Sequence, residues 1–324
     1  MMLKKIADIL KSISKAVILP HFNPDGDCIG SSFALQSALK KMGKKAVVVL
    51  EEDIPKMYEF LGGEFVKYKD YSDYSGIDCV ICIDCADEKR LGKRIKFFKQ
   101  SNVTINIDHH VSNTEFAEYN YIDTNSAATG EMIYDLLGEL GVEIDKEIAT
   151  NLYTAISTDT GSFKYSNTTS RTHRIIAELM EKGIDNADIS RRVFDTFSLS
   201  KLKFISYAIE RIELYEDGKI VIIPIPNKAI KDMALGENDI DGLSSLARTV
   251  EGVEVGILLM EMEPGHVKVS LRSNRYVDVS KVAFSFGGGG HVRASGCILN
   301  MDMEQAKQKI MEAVKPLIVK GDGI

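Results

Sequence analysis

Four short stretches of this 324-residue sequence set acidic and imidazole side chains directly after apolar runs. In His21-Phe22-Asn23-Pro24-Asp25-Gly26-Asp27, Pro24 and Gly26 force a tight, non-helical turn that lets His21, Asp25 and Asp27 point inward together. As a plain polar loop the same stretch would use Asp27 to cap a helix starting near Cys28. Asp84 is the carboxylate that closes the apolar run Val80-Ile81-Cys82-Ile83. Asp108-His109-His110 follows Val103 to Ile107; successive side chains diverge, so one imidazole serves as a ligand and the other faces substrate, with Asp108 behind them as an orienting carboxylate. A helix carrying Ile148, Leu152 and Ile156 runs into Thr158-Asp159-Thr160-Gly161, where Asp159 offers one more carboxylate in what alone would be a capped turn.

Together these stretches supply four carboxylates and at least two imidazoles, with no cysteine in a ligand position. Mixed oxygen and nitrogen ligation suits Mn²⁺ or Mg²⁺, and also Co²⁺ or Fe²⁺, better than a structural zinc cage. A carboxylate-rich set of this size holds two ions about 3.5 to 4 Å apart, the arrangement that clamps the attacking and leaving oxygens of a phosphoryl displacement. The chemistry expected is metal-assisted cleavage of a phosphoester.

Such residues converge only if the elements before them lie side by side, and the first half of the chain has the pattern that achieves this. Runs at Ala16 to Pro20, Ala46 to Leu50, Cys79 to Asp84 and Val103 to Asp108 read as strands. Between the first two, Ile29, Phe33, Leu35, Leu39 and Met42 recur at helical spacing before Gly43, and further helices are expected over 127–140, 146–158, 170–182 and 185–194. Alternation of this kind predicts an α/β fold, a parallel sheet flanked by helices, whose ligands bind at the carboxyl ends of the strands. The mixed-charge stretch from Ser198 to Tyr215 reads as a connecting helix. Beyond it strands are expected at 220–225, 253–262 and 266–271, the last two joined by the turn Glu263-Pro264-Gly265, and a terminal helix over 303–319 completes a smaller α+β C-terminal domain.

Composition narrows the partners. With 44% hydrophobic residues the chain can fill two cores. Forty Lys and Arg against 47 Asp and Glu give a net charge of −7, the wrong bias for a protein that tracks long nucleic acid. A short phosphate-bearing substrate is compatible, because a local cluster of ions overrides the global charge at close range. The N-terminal stretch is amphipathic, with Asp8, Lys11 and Ser12 interrupting its apolar positions, and no apolar run approaches the roughly 18 to 20 residues that span a bilayer. A cytoplasmic protein without a membrane segment is expected. The five cysteines fit a reducing compartment, and Cys82 and Cys85 read as small buried residues on opposite faces of a strand rather than as a redox pair.

The four motifs in this order, HFNPDGD, the aspartate of ICIDCAD, DHH and the aspartate of STDTGSF, resemble those of the DHH phosphoesterase superfamily. The likeness extends to GGGGHVRASG, Gly287 to Gly296, which is similar to the signature of the DHH-associated substrate domain, and so spans nearly the whole chain. Within the superfamily the arrangement resembles the nanoRNase and cyclic-dinucleotide phosphodiesterase group. The resemblance implies a DHH catalytic domain over 1–195, a linker helix over 196–216 and a substrate-binding domain over 217–324. It implies one metal held by His21, Asp25 and Asp84 and a second held by Asp27, Asp84, His109 and Asp159, with Asp84 bridging, His110 facing the scissile phosphate, and Mn²⁺ as the ion. A homodimer is implied as well.

The glycine run has its own physics, since backbone without Cβ atoms approaches a ligand closely and presents N–H donors to phosphate. Gly288, Gly289 and Gly290, with His291, Arg293, Arg272 and Ser273, are the expected substrate contacts, and His110 and Asp84 the expected catalytic groups. The expected activity is hydrolysis of dinucleotides such as 5′-pApA, and of cyclic di-AMP, to mononucleotides. The alternatives are a 3′-phosphoadenosine 5′-phosphate phosphatase, a pyrophosphatase or exopolyphosphatase built on the same metal core, and a non-catalytic nucleotide sensor.

Overall fold

The alternating apolar runs do assemble into a parallel sheet. In the computed structural model, which describes residues 2–71, 75–233 and 243–318, the chain divides into two units, Met1–Thr196 and Phe197–Ile324. The first is built on β1 (Lys15–Pro20), β2 (Lys45–Leu50), β3 (Phe65–Lys67), β4 (Cys79–Ile83), β5 (Thr104–Asp108) and β6 (Tyr119–Ile122), all parallel, in the order β3-β2-β1-β4-β5-β6. Every residue of β1 and β4 is buried, as a parallel strand covered on both faces requires. On one face Ile18, Ile81 and Ile105 pack against α1 (Met2–Ser12), α2 (Gly26–Lys41), α4 (Thr129–Leu140) and α5 (Lys146–Asp159). On the other, Val17, Leu19, Val80 and Cys82 pack with Phe97 of α3 (Ile95–Gln100). Further along, α6 (Ser170–Met180) and α7 (Asn186–Ser190) follow, and the helix expected to reach 194 widens into a π-helical turn over Arg191–Asp195.

Two expectations fail here for reasons of backbone geometry. Cys82 and Cys85 do not point to opposite faces: both lie in the same apolar cluster, because the strand ends at Ile83 and Asp84 takes a left-handed conformation (φ 58°) that breaks the alternation. The helix expected over 198–215 stops at Ile209 (α8, Leu199–Ile209), and Glu213–Tyr215 forms an edge strand, β7. A tight turn with positive φ at Glu216, Asp217 and Gly218 folds β7 back antiparallel on β8 (Ile220–Ile225), and this pairing outweighs the local helical pattern.

The second unit is a six-stranded mixed sheet, β11-β12-β10-β9-β8-β7, with β9 (Val255–Glu263), β10 (His266–Ser273), β11 (Gly289–His291) and β12 (Ala294–Leu299). The β9–β10 hairpin turns at Gly265 (φ 78°) as the sequence predicts, and the one parallel pair is β8 with β9. One face packs against α11 (Val279–Ser285) and α12 (Met303–Val314), the other against α8 and α10 (Leu243–Leu246), while α9 (Asn227–Asp232) follows β8. Phe204 and Ala208 of α8 are fully buried in this second core. The helix expected to end at Val319 ends at Val314; Val319 itself lies outside the described residues. Among the described residues no helix is long and apolar enough to cross a membrane.

Candidate metal centre

The strand order reverses between β1 and β4, and such a switch point leaves a crevice at the carboxyl ends of the strands. Pro20 pairs with Ile83, and Ile83 with Ile107, so His21, Asp84 and Asp108 emerge side by side from three adjacent strands. Two helices complete the set: Asp25 caps the start of α2, Asp27 sits in its first turn, and Asp159 ends α5. The capping residue is therefore Asp25, which accepts from Cys28 N at 3.0 Å, and not Asp27, since the helix begins at Gly26 rather than near Cys28. α2 and α5 approach so closely that a Cβ on Gly30 would lie 2.4 Å from the Asn151 carbonyl oxygen. Gly30→Ala is therefore expected to cost about 1 to 3 kcal/mol in urea denaturation, by forcing the two helices apart. An alanine variant as stable as the parent would contradict this approach.

The two imidazoles are oriented alike. Nδ1 of His21 donates to the Phe22 carbonyl at 2.8 Å, and Nδ1 of His109 to that of Ser126 at 3.3 Å; a carbonyl only accepts, so each Nε2 carries a lone pair. His21 Nε2 is buried without a hydrogen-bond partner, 3.6 Å from Asp84 Oδ2 and 3.8 Å from Asp25 Oδ1. His109 Nε2 lies 3.5 Å from Asp159 Oδ2, 3.7 Å from Asp84 Oδ1 and 3.9 Å from Asp27 Oδ2. These separations exceed hydrogen-bond reach, yet one cation can touch both atoms of each pair. An orphaned, buried imidazole lone pair surrounded by carboxylates has no apolar or hydrogen-bonding explanation, and the donor set fits two divalent ions.

Electrostatics in the cluster point the same way. Burial, then the charges of Asp84, Asp159 and Asp25, push the Asp27 carboxyl well above its ordinary range. Burial, then Asp25, raises Asp84, although the three imidazoles oppose this. Burial raises Asp159 to about 7 against the pull of His109. Carboxylates held this close repel one another unless cations or protons intervene. His110 differs. Burial disfavours its charge, but the hydrogen bond from Nδ1 to Asp108 Oδ1 (2.7 Å) and the charges of Asp84, Asp108 and Asp159 outweigh burial and push it up to about 9. Asp108 is itself held by Asn113, whose amide also donates to the Cys85 carbonyl.

Several contributors escape a reading of side-chain types. Helix α4 is preceded by Ala128, which has no side chain to cap it, and its first amides, Thr129 N and Gly130 N, donate instead to Asp27 at 2.7 and 2.9 Å. Ser31 Oγ adds a third bond to the same carboxylate, and Thr129 Oγ1 donates to Asp84 Oδ1 at 2.8 Å. The signal available was Ser126-Ala127-Ala128-Thr129-Gly130, a helix start with nothing to cap it. Cys28 was also missed as a neighbour of the cluster: its Sγ lies with His21 and Asp84 in a group of potential donors. It donates to the Ile83 carbonyl at 3.2 Å, and burial raises its thiol well above the usual range, so it fixes the end of β4 as a neutral group.

Of the residues expected to contact substrate in the second unit, Arg272 lies on β10 opposite Ala294 of β12, and Gly289, Gly290 and His291 form the exposed edge strand β11 beside β12. A Cβ at Gly290 would meet the Ala294 carbonyl oxygen at 2.6 Å, and φ there is 138°, so the hairpin itself requires glycine. Gly288 packs against the Gly296 carbonyl in the same way. Ser273 is buried and donates to the Val277 carbonyl at 2.7 Å, and Arg293 Nη1 donates to that same carbonyl at 2.9 Å, so both side chains brace the loop after β10.

A switch-point crevice with a four-carboxylate, two-imidazole cluster marks the class of centre this unit can form, one able to hold divalent metal. Residues 15–156 match the DHH family, N-terminal domain, and residues 229–320 match the DHHA1 domain. The Bifunctional oligoribonuclease and PAP phosphatase NrnA of Thermus thermophilus is 36% identical over 97% of this chain and 93% of that protein. The protein of the same name from Bacillus subtilis is 23% identical over 89% and 91%. A crystal structure of an exopolyphosphatase-related protein from Bacteroides fragilis superposes with a TM-score of 0.90 at 28% identity, covering 98% of this chain and 97% of that one. The chain belongs to the DHH family, in the form that carries a DHHA1 domain.

Proposed function

We propose that the chain is a metal-dependent phosphodiesterase of the nanoRNase kind, hydrolysing short nucleotides such as 5′-pApA, and cyclic di-AMP, to mononucleotides. The observation that carries this reading is the two-sided presentation of Asp84, whose Oδ2 faces His21 Nε2 and whose Oδ1 faces His109 Nε2. One carboxylate placed between two imidazole lone pairs is what a bridging ligand requires. On this reading His21, Asp25 and Asp84 hold one ion, and Asp27, Asp84, His109 and Asp159 hold the other, with Mn²⁺ the expected metal. When bound, the ions would neutralise charge on the phosphoryl oxygens and lower the pKa of water enough to supply hydroxide as the nucleophile.

The chain's own residues supply the rest. The Thr129 and Gly130 amides, with Ser31, fix Asp27, and the Thr129 hydroxyl fixes Asp84, so the cluster is preorganised before substrate arrives. His110, kept protonated by Asp108, donates its proton to the departing ribose oxygen as the P–O bond breaks. In the second unit the edge amides of Gly289 to His291, the close-packed Gly288 backbone and the Arg272 side chain are the proposed contacts for the far nucleotide, with Ser273 and Arg293 supporting the loop beside them. The names of the Thermus and Bacillus relatives support short nucleotides as substrates, and they favour 3′-phosphoadenosine 5′-phosphate as a second substrate at the same centre. A homodimer in the cytoplasm completes the proposal.

Purified protein with Mn²⁺ is expected to turn over pApA and to show measurable activity on cyclic di-AMP and 3′-phosphoadenosine 5′-phosphate. Chelation should abolish all three activities. Rapid pyrophosphate turnover with inert dinucleotides would sink the assignment. Thr129→Val removes the hydroxyl but keeps the amide. It is expected to lower kcat/KM about tenfold with little change in melting temperature, since a hydrogen bond to a charged group contributes about 1.5 to 3 kcal/mol.

A further inference from the structure

A cavity of about 470 Å³ opens in the second unit, built from residues that belong neither to the metal cluster nor to the glycine segment. The size falls within the range of small-molecule sites. Three cations line it from separate segments: Lys219 ahead of β8, Arg248 after α10 and Arg275 after β10. Two carboxylates line it too, but they are not equivalent. Glu254 is 3% exposed and turned to the backbone, accepting the amides of Arg275 (3.1 Å), Tyr276 (2.8 Å) and Val277 (2.8 Å). Its charge is balanced by those amide dipoles. Glu251 is exposed to water. Among the described residues, three cations and one solvated carboxylate therefore line the cavity, a local reversal on a chain whose net charge is −7.

The cavity is also held in shape. Asn274 Nδ2 donates to the Arg248 carbonyl at 2.9 Å and to the Val253 carbonyl at 2.8 Å, and Asn274 N donates to the Glu254 carbonyl, so the segments carrying Arg248 and Arg275 are tied together. Half-buried Tyr276 adds an aromatic surface beside the cations. We propose that this cavity is a second binding site for a nucleoside monophosphate, with the phosphate on Lys219, Arg248 and Arg275 and the base against Tyr276. Fixed cations recognise the phosphate dianion, and the aromatic ring accepts any base by stacking.

Photolabelling of the metal-loaded full chain with 8-azido-AMP, followed by peptide mapping, tests this site directly. Label is expected on peptides covering 248–254 or 274–276, competed away by 5′-AMP. In the Arg248→Ala, Arg275→Ala double variant that label should fall at least tenfold while hydrolysis stays within twofold of the parent. Label confined to metal-cluster or glycine-segment peptides, or cavity label unchanged in the variant, overturns the proposal. A parallel loss of hydrolysis would make these residues part of the reaction site and overturn a separate one. If the double variant does not fold, exposed Lys219→Glu carries the comparison: at least threefold less label supports the site, and unchanged label rejects it.

Discussion

Asp84→Asn is expected to lower kcat/KM by at least about 10³-fold, since a bridging carboxylate supports both ions and each 1.36 kcal/mol of lost transition-state stabilisation costs a factor of ten. Asparagine is the informative replacement. Residue 84 sits at φ 58°, a region that Asn tolerates nearly as well as Asp and Ala does not, so the backbone at the end of β4 is preserved. Asn also retains an oxygen for the Thr129 hydroxyl. The loss should therefore appear in metal content, measured by plasma mass spectrometry, and in rate. Stability should be unchanged or slightly higher in the metal-free protein, because one of four mutually repelling carboxylates is gone. Retention of both activity and metal by this variant would remove Asp84 from the bridging position.

The second large effect concerns His110, whose Nδ1 donates to Asp108 Oδ1 at 2.7 Å and stands 3.6 Å from Asp84 Oδ1. His110→Asn is expected to reduce kcat on pApA by about 10² to 10⁴-fold, the usual contribution of a positioned general acid, with metal content intact. A substrate whose leaving group needs no proton separates this role from a structural one. With a p-nitrophenyl ester of a nucleotide the defect should shrink to about tenfold or less. Equal losses on both substrates would mean that His110 positions the phosphate and does not donate a proton. Asp108→Asn should show the same leaving-group pattern in weaker form, because it acts through His110.

The physics of backbone donors explains why part of the centre was legible and part was not. Candidate ligand residues announce themselves by type and by their place after apolar runs, and His21, Asp84 and the DHH triplet stand at the ends of strands as expected. The amides that hold Asp27 belong to Thr129 and Gly130, and an amide donor exists at every non-proline position, so the only mark on these two was indirect, a helix start at Ala128 with no capping side chain. Short edge elements were missed for a related reason. β3, β6 and β11 have three or four residues each, too few for a periodicity to register, and their pairing depends on a neighbour distant in sequence. The glycine segment was legible as backbone that approaches something closely; the partner that approaches it includes its own hairpin strand, β12.

By itself the sequence determined the residue types of the candidate ligand set, the α/β class of the first unit, the hairpin at Gly265 and the order of the motifs, because these depend on residue type and on spacing within one element. The tertiary structure decided that Asp25 rather than Asp27 caps α2, that the Thr129 and Gly130 amides hold Asp27, and that Cys28 closes in on His21 and Asp84. Those outcomes depend on strand order and register, which bring residues 21, 84 and 109 together across three neighbouring strands. No local pattern encodes such a juxtaposition; it follows from how the helices pack the sheet.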